Sequence, residues 1–110
     1  MTVESSTEFA EGVATIVLEG ELNMYSVKNL KTELLDFLMR CRPELAKVQV
    51  NLQAVAELDS SGIALLAHIQ KKANEMGAEF FILRPSRKIR KLFDLGFIDA
   101  MFQIVDETNP

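Results

Sequence analysis

Residues 56–63, with the sequence AELDSSGI, lie where an apolar, strand-like run ends and a helical pattern begins. Two adjacent hydroxyls, those of Ser60 and Ser61, therefore stand at a helix N-terminus beside the carboxylate of Asp59. The first backbone N–H groups of a helix have no partner within it, and the helix dipole is positive at that end. The sequence thus predicts either a turn that can hold an added phosphate or a serine that caps the helix.

Strand and helix patterns alternate on either side of this turn. Strands are predicted over four stretches: residues 8–20 as a hairpin turning at Glu11-Gly12 and extended by residues 2–6, then 47–52, 80–83 and 101–105. Helices are predicted over three stretches: from the N-cap Ser26 to before Pro43, over residues 60–76 before Gly77, and from the N-cap Ser86 to Gly96. We expect an α/β fold with a mixed, mostly parallel sheet of four to five strands, helices packed on it and an initial antiparallel hairpin.

The apolar positions also predict which parts are buried. The second hairpin strand is apolar on both faces, which indicates an interior strand. Residues 63–67 are apolar nearly all round and should be deeply packed, whereas the end of that helix, residues 70–75, should be solvated. In the third helix we expect Ile89, Leu92 and Phe93 to face inward, and we expect the tail 106–110 to be frayed.

Composition restricts the class of protein. A length of 110 residues predicts one domain, 1–110, with a core over about residues 8–105. The net charge of −4 disfavours nucleic acid as a partner. The single cysteine, Cys41, excludes an internal disulfide and favours a cytoplasmic location. No apolar run approaches the roughly 20 residues of a membrane span, so no direct membrane insertion is expected.

Functional positions in parallel sheets gather beyond the carboxyl ends of the strands. The loop 20–25, the turn 59–62 and the loop 84–86 all fall at that edge, and we expect them to form one surface. The residues predicted to contact a partner there are Asn23, Met24, Tyr25, Leu58, Ile63, Arg84 and Ser86. For Met24 and Tyr25 a hydrophobic staple on the following helix is equally consistent with the sequence.

Three motifs stand in register with these elements. They are residues 18–22 (LEGEL) before a helix with Leu30 and Leu34, residues 51–52 leading to 58–66 (LDSSGIALL), and Gly77 followed by 81–83 (FIL) and a helix with Ile89 and Leu92-Phe93 ahead of Gly96-Phe97. Over residues 8–105 the chain resembles the STAS domain, the family of sulphate transporters and anti-sigma factor antagonists, and the Asp-Ser-Ser-Gly element is the most specific part of the match.

The resemblance implies a function. Stand-alone members of this size resemble anti-sigma factor antagonists, which act by partner switching. The unphosphorylated protein captures an anti-sigma factor that is also a serine kinase, and phosphorylation of the first serine of the pair releases it. A metal-dependent serine phosphatase removes the phosphate and restores binding. Carried over, the phosphoacceptor is Ser60, and Asp59, Ser61 and Gly62 shape its loop. Asn23 stands where the family often has aspartate. The alternative is a STAS-type accessory subunit of a membrane lipid transporter that makes a constitutive protein contact.

The sequence offers little for catalysis. With one histidine, His68, and one cysteine, no metal site or Cys/His pair can be assembled, so no catalytic residue, metal or cofactor is predicted. Gly62 either admits an approaching backbone or packs closely against the sheet. A cluster of basic residues lies at and just before the third helix, and it forms the solvated face of that helix or meets a partner's acidic patch or a phosphoserine. Its members are Arg84, Arg87, Lys88, Arg90 and Lys91.

Overall fold

The computed structural model describes residues 3–96 and 98–105, so Phe97 and the tail predicted to fray lie outside the described residues. Its strands are β1 (Val3–Ala10), β2 (Val13–Leu22), β3 (Lys47–Leu58), β4 (Glu79–Leu83) and β5 (Ile104–Val105). Its α-helices are α1 (Val27–Arg40), α2 (Ser60–Glu75) and α3 (Arg87–Leu95), and a 3₁₀ turn spans Ile98–Ala100. The elements follow the predicted order of a hairpin and three strand–helix–strand units.

The five strands form one sheet in the order β1-β2-β3-β4-β5. The β1–β2 pair is antiparallel, and all later pairs are parallel, which confirms the predicted mixed sheet and the interior position of β2. Because each right-handed crossover leads to the next strand along the sheet, all helices fall on the same face. That face carries the buried side chains of the central strands: Ala14, Ile16, Leu18, Val48, Val50, Leu52, Phe80 and Ile82.

The hairpin turn forms as its sequence predicts. Glu11 and Gly12 both have positive φ, 52° and 82°, which is the backbone of the two-residue turns that match the twist of antiparallel strands. The turn also joins the sheet interior, since the Gly12 carbonyl accepts from the amides of Ala46 and Lys47 at 2.7 and 3.0 Å. The hairpin is thereby attached to the start of β3.

The structure corrects several predicted strand boundaries. β2 ends at Leu22 rather than at residue 20, so the loop predicted over residues 20–25 is shorter. β3 continues to Leu58 rather than ending at residue 52, because register irregularities in its pairing with β2 carry the ladder on to the Leu22–Leu58 pair. In the described part of the chain the last strand begins at Ile104 rather than at Met101, since the chain first forms the 3₁₀ turn and a bend. The longer β3 projects beyond β4, whose last residue lies opposite Asn51.

Two apolar helix positions are also more exposed than their pattern predicts. Ala64 is exposed because α2 buries one stripe, formed by Leu65, Leu66, Ile69 and Ala73, and Ala64 lies outside it. Leu92 is 37% exposed, while Ile89 and Phe93 are buried as expected. The expectation that residues 63–67 are packed all round is therefore wrong at Ala64, which faces the gap between α1 and α2.

Candidate functional site

The turn at the start of α2 is built around Asp59. This residue has an extended backbone (φ −110°, ψ −169°), and its Oδ1 accepts from the amides of Ser61 at 2.8 Å and Gly62 at 3.2 Å. Ser60 is the first residue of the helix and is exposed, and within the described part of the chain its side chain has no hydrogen bond. The cap is therefore Asp59, and the interpretation of Ser60 as a capping serine is wrong.

The same contacts determine which backbone amides are free to bind an anion at this turn. The amides of Ser61 and Gly62 are bonded to the Asp59 carboxylate, and the Ile63 amide donates to the Asp59 carbonyl at 3.1 Å. The prediction of unpaired N–H groups awaiting a phosphate is thus wrong for these three amides. Asp59 supplies the negative charge that the positive end of the helix dipole favours. An anion added at the exposed Ser60 would not find these three amides free.

Gly62 is required for packing. A Cβ at this position would meet the Leu58 side chain, and it would lie 2.8 Å from the Leu22 Cβ and 3.0 Å from the Leu22 carbonyl oxygen. The close-packing interpretation of Gly62 is therefore the one that the structure supports. The absence of a side chain lets α2 begin directly against the ends of β2 and β3, which places Ser60 at the edge of the sheet.

The β2–α1 turn lies against the same point, since the Asp59 amide donates to the Leu22 carbonyl at 3.1 Å. Within the turn, the Asn23 Oδ1 accepts from the amides of Tyr25 at 2.9 Å and Ser26 at 3.1 Å. The Ser26 hydroxyl donates to the Glu21 carbonyl at 2.7 Å and makes no side-chain cap to α1. Ser26 stands at the predicted N-cap position of α1, but its hydroxyl closes the turn instead of capping the helix. Asn23 holds this turn with its carboxamide oxygen.

Two large side chains project from this turn. Met24 is 61% exposed and Tyr25 is 84% exposed, which excludes the hydrophobic-staple interpretation because a staple buries its residues against the helix. Near Ser60 in the chain, Ile63 on the first turn of α2 is half-buried, whereas Leu58 at the end of β3 is only 8% exposed. Leu58 therefore acts mainly as support beneath Gly62, and Met24, Tyr25 and Ile63 supply the accessible apolar surface.

The loop after β4 occupies a different position along the sheet. β4 ends opposite Asn51, the Arg84 amide donates to the Val105 carbonyl at 2.8 Å, and the Ser86 hydroxyl accepts from the Ile89 amide at 3.3 Å as the predicted cap of α3. The end of β3 is reached by α3 itself, through the ion pair between Lys88 and Glu57. A shared surface that includes Arg84 and Ser86 stays a prediction. The Lys88–Glu57 pair had no local sequence signal.

No group of three or more His, Cys, Asp or Glu residues that could hold a metal ion occurs in the described ranges 3–96 and 98–105. Cys41 is buried, its thiol donates to the Phe37 carbonyl at 3.3 Å, and burial raises the pKa of the thiol. Among the same residues, no helix combines the length and apolar character that a membrane crossing requires.

A sheet with one antiparallel edge, helices on one face and an Asp-Ser-Ser-Gly turn at the start of α2 agrees with a protein-family model, that of the STAS domain, which matches residues 4–109. The chain belongs to the STAS domain family. The α/β fold expected for the family is confirmed, with five strands and three α-helices in the residues that the structure describes.

Two curated relatives of this STAS chain carry the same name. It is 37% identical over 91 residues to an anti-sigma-B factor antagonist of Staphylococcus epidermidis, which covers 82% of this chain and 81% of that protein. It is 30% identical over 110 residues to an anti-sigma-B factor antagonist of Staphylococcus aureus strain NCTC 8325, which covers 99% of this chain and 96% of that protein. These names describe regulatory antagonists and not enzymes.

A solved structure shows the same fold. The Bacillus cell fate determinant SpoIIAA in its phosphorylated form superposes with a TM-score of 0.68 at 19% identity, over 94% of this chain and 93% of that one. The STAS chain therefore matches these three proteins over 81%, 96% and 93% of their own length.

Proposed function

We propose that this STAS chain is a cytoplasmic anti-sigma factor antagonist that works by partner switching under the control of reversible phosphorylation at Ser60. The name of the two relatives supports the antagonist role, since the match at 30% identity extends over 99% of the chain. The partner would be an anti-sigma factor that is also a serine kinase, and a metal-dependent serine phosphatase would reverse its action.

One observation carries the assignment to Ser60. The Ser60 hydroxyl is exposed and has no hydrogen bond among the described residues, because Asp59 performs the capping. A kinase that modifies this hydroxyl therefore breaks no native interaction. Ser61 differs, since it is only half-exposed and lines a cavity between α1 and α2. Of the two adjacent hydroxyls, the one at position 60 is the more accessible acceptor.

The effect of a phosphate follows from the occupied amides. A phosphoserine carries about −1.5 to −2 charges, and with the Ser61 and Gly62 amides bonded to Asp59 this charge points into solvent. A partner packed against Met24, Tyr25 and Ile63 would have to desolvate the phosphate beside the Asp59 carboxylate, which is strongly unfavourable. The fold loses no contact of its own, so phosphorylation releases the partner and leaves the domain folded. Asn23, Leu58, Arg84 and Ser86 complete the proposed docking face as supporting or peripheral positions.

The first test is intact-mass analysis after incubation with ATP and the cognate anti-sigma kinase. The parent protein and Ser61→Ala should each gain one phosphate, and Ser60→Ala should gain none. Ser61→Ala is the matched control because it removes the neighbouring hydroxyl with the same change of atoms. Uptake of phosphate by Ser60→Ala would refute the assignment.

The second test measures binding of the unphosphorylated kinase partner by calorimetry. Ser60→Asp should keep its thermal unfolding midpoint and lose the partner, while Ser60→Ala should bind as the parent does. Tight binding by Ser60→Asp would contradict the repulsion argument. Failure of the parent protein to bind the kinase partner would instead favour the transporter-subunit alternative.

A further inference from the structure

A basic groove runs between α1 and α2, starting beside Ser61 and continuing along both helices. It consists of two adjoining cavities of about 210 and 220 Å³ that share Lys31 and His68. Its polar rim is formed by Lys28, Lys31, Ser61, His68, Lys71 and Lys72, with Glu75 at its far end. Its apolar floor is formed by Val27, Leu35, Ala64 and Leu65. We call this the α1/α2 groove.

The charge of the α1/α2 groove is opposite to that of the whole chain. The formal net charge is −4, yet the groove gathers four lysines and a histidine against one glutamate. Within residues 3–96 and 98–105, none of these lysines has an ion pair. Glu33 and Asp36, the acidic residues of α1, do not line it. The lysines therefore concentrate positive potential along the groove without an internal partner.

The combination of an apolar floor and a basic rim specifies the occupant. On α2, the lining residues recur at helical spacing from Ser61 to Glu75, a stripe of about 20 Å at 1.5 Å per residue. An amphipathic helix fits such a groove by placing apolar side chains on the floor and acidic side chains against the rim. The exposed Ala64 leaves room on the floor for a close approach. Nucleic acid is disfavoured because the rest of the chain is acidic.

We propose that the α1/α2 groove binds an acidic amphipathic helix of a protein partner. Electrostatic complementarity steers the helix and sets its register, and burial of its apolar face against Val27, Leu35 and Leu65 adds affinity. This contact is separate from the Ser60 hydroxyl and does not depend on its phosphorylation.

The probe for the test is a synthetic amphipathic helix with a leucine stripe flanked by glutamates, and a matched peptide has glutamine at every glutamate position. Titration into isotope-labelled full-length protein should shift the amide signals of Lys28, Lys31, Ala64 and His68 with the acidic peptide only. The double variant Lys28→Glu/Lys31→Glu should weaken that binding by roughly tenfold or more.

The control is the double variant Arg87→Glu/Lys91→Glu, which makes the same change in net charge on exposed positions of α3. Its dissociation constant for the acidic peptide should lie within about twofold of the parent's, because only the general effect of net charge changes. Both variants are checked by circular dichroism and thermal unfolding. Equal weakening by the two variants, equal binding of the glutamine peptide, or signal shifts confined to α3 would each overturn the proposal.

Discussion

The close contact at Gly62 gives the sharpest test of how the site is positioned. In Gly62→Ala the new methyl group would lie 2.8 Å from the Leu22 Cβ and 3.0 Å from the Leu22 carbonyl oxygen, and it would also meet the Leu58 side chain. The end of the Leu58 side chain can rotate away. The Leu22 atoms cannot, because this residue pairs with Leu58 in the ladder and its carbonyl accepts from the Asp59 amide.

The expected magnitude is a difference of two effects. Overpacking a tight site lowers the free energy of unfolding by about 1–3 kcal/mol, and replacing glycine by alanine within a helix raises it by about 0.5–1 kcal/mol. Because the obstructing atoms belong to the sheet, we expect the cost to dominate and the free energy of unfolding to fall by about 1–2 kcal/mol. For a domain of this size, that lowers the unfolding midpoint by roughly 4–8 °C.

The assay is urea and thermal unfolding followed by far-ultraviolet circular dichroism, which suits a chain with no tryptophan. Ser60→Ala is the matched control, since it makes an alanine in the same helical turn at an exposed position and should change stability by no more than about 0.5 kcal/mol. If Gly62→Ala is as stable as the parent while Ser60→Ala is unchanged, the close packing of α2 on Leu22 does not control this site.

Two further predictions concern single side chains. Asp59→Ala should lower the free energy of unfolding by about 1–2 kcal/mol, because the Ser61 and Gly62 amides lose their acceptor. Asp59→Asn keeps an acceptor oxygen and should lower it by only about 0.3–1 kcal/mol. Equal losses in urea unfolding would contradict the capping geometry. For Cys41, burial raises the pKa of the thiol above its ordinary value of 9.0, so the unfolded chain releases this proton first and stability should fall as the pH rises through about 9. A pH series against Cys41→Ala, which lacks the titrating group, should show a difference in unfolding free energy that shrinks in this range, and native Cys41 should be alkylated slowly until the protein unfolds.

Short-range patterns account for most of what could be predicted of the fold. The positive φ at Glu11 and Gly12, the Ser86 cap of α3 and the end of α2 before Gly77 depend on neighbouring residues, so the sequence shows them directly. The order of strands and helices then leaves a parallel sheet with one antiparallel edge as the natural arrangement. The extent of β3 was not predictable, because its pairing with β2 decides where it ends.

The candidate site divides in the same way. By itself, the sequence determined that Asp59, Ser60, Ser61 and Gly62 stand at a helix N-terminus, because the change from strand to helical periodicity is local. Only the tertiary structure decided that Asp59 caps the helix and leaves the Ser60 hydroxyl exposed, that Gly62 packs on Leu22, and that Lys28 and Lys31 come together with Lys71 and Lys72. The Gly62–Leu22 contact and the lysines of the groove join residues far apart in the chain, which meet only once the helices have packed on the sheet. The Asp59 cap is local, but Asp59, Ser60 and Ser61 are all residue types that can cap a helix, so only the geometry of the turn decides between them.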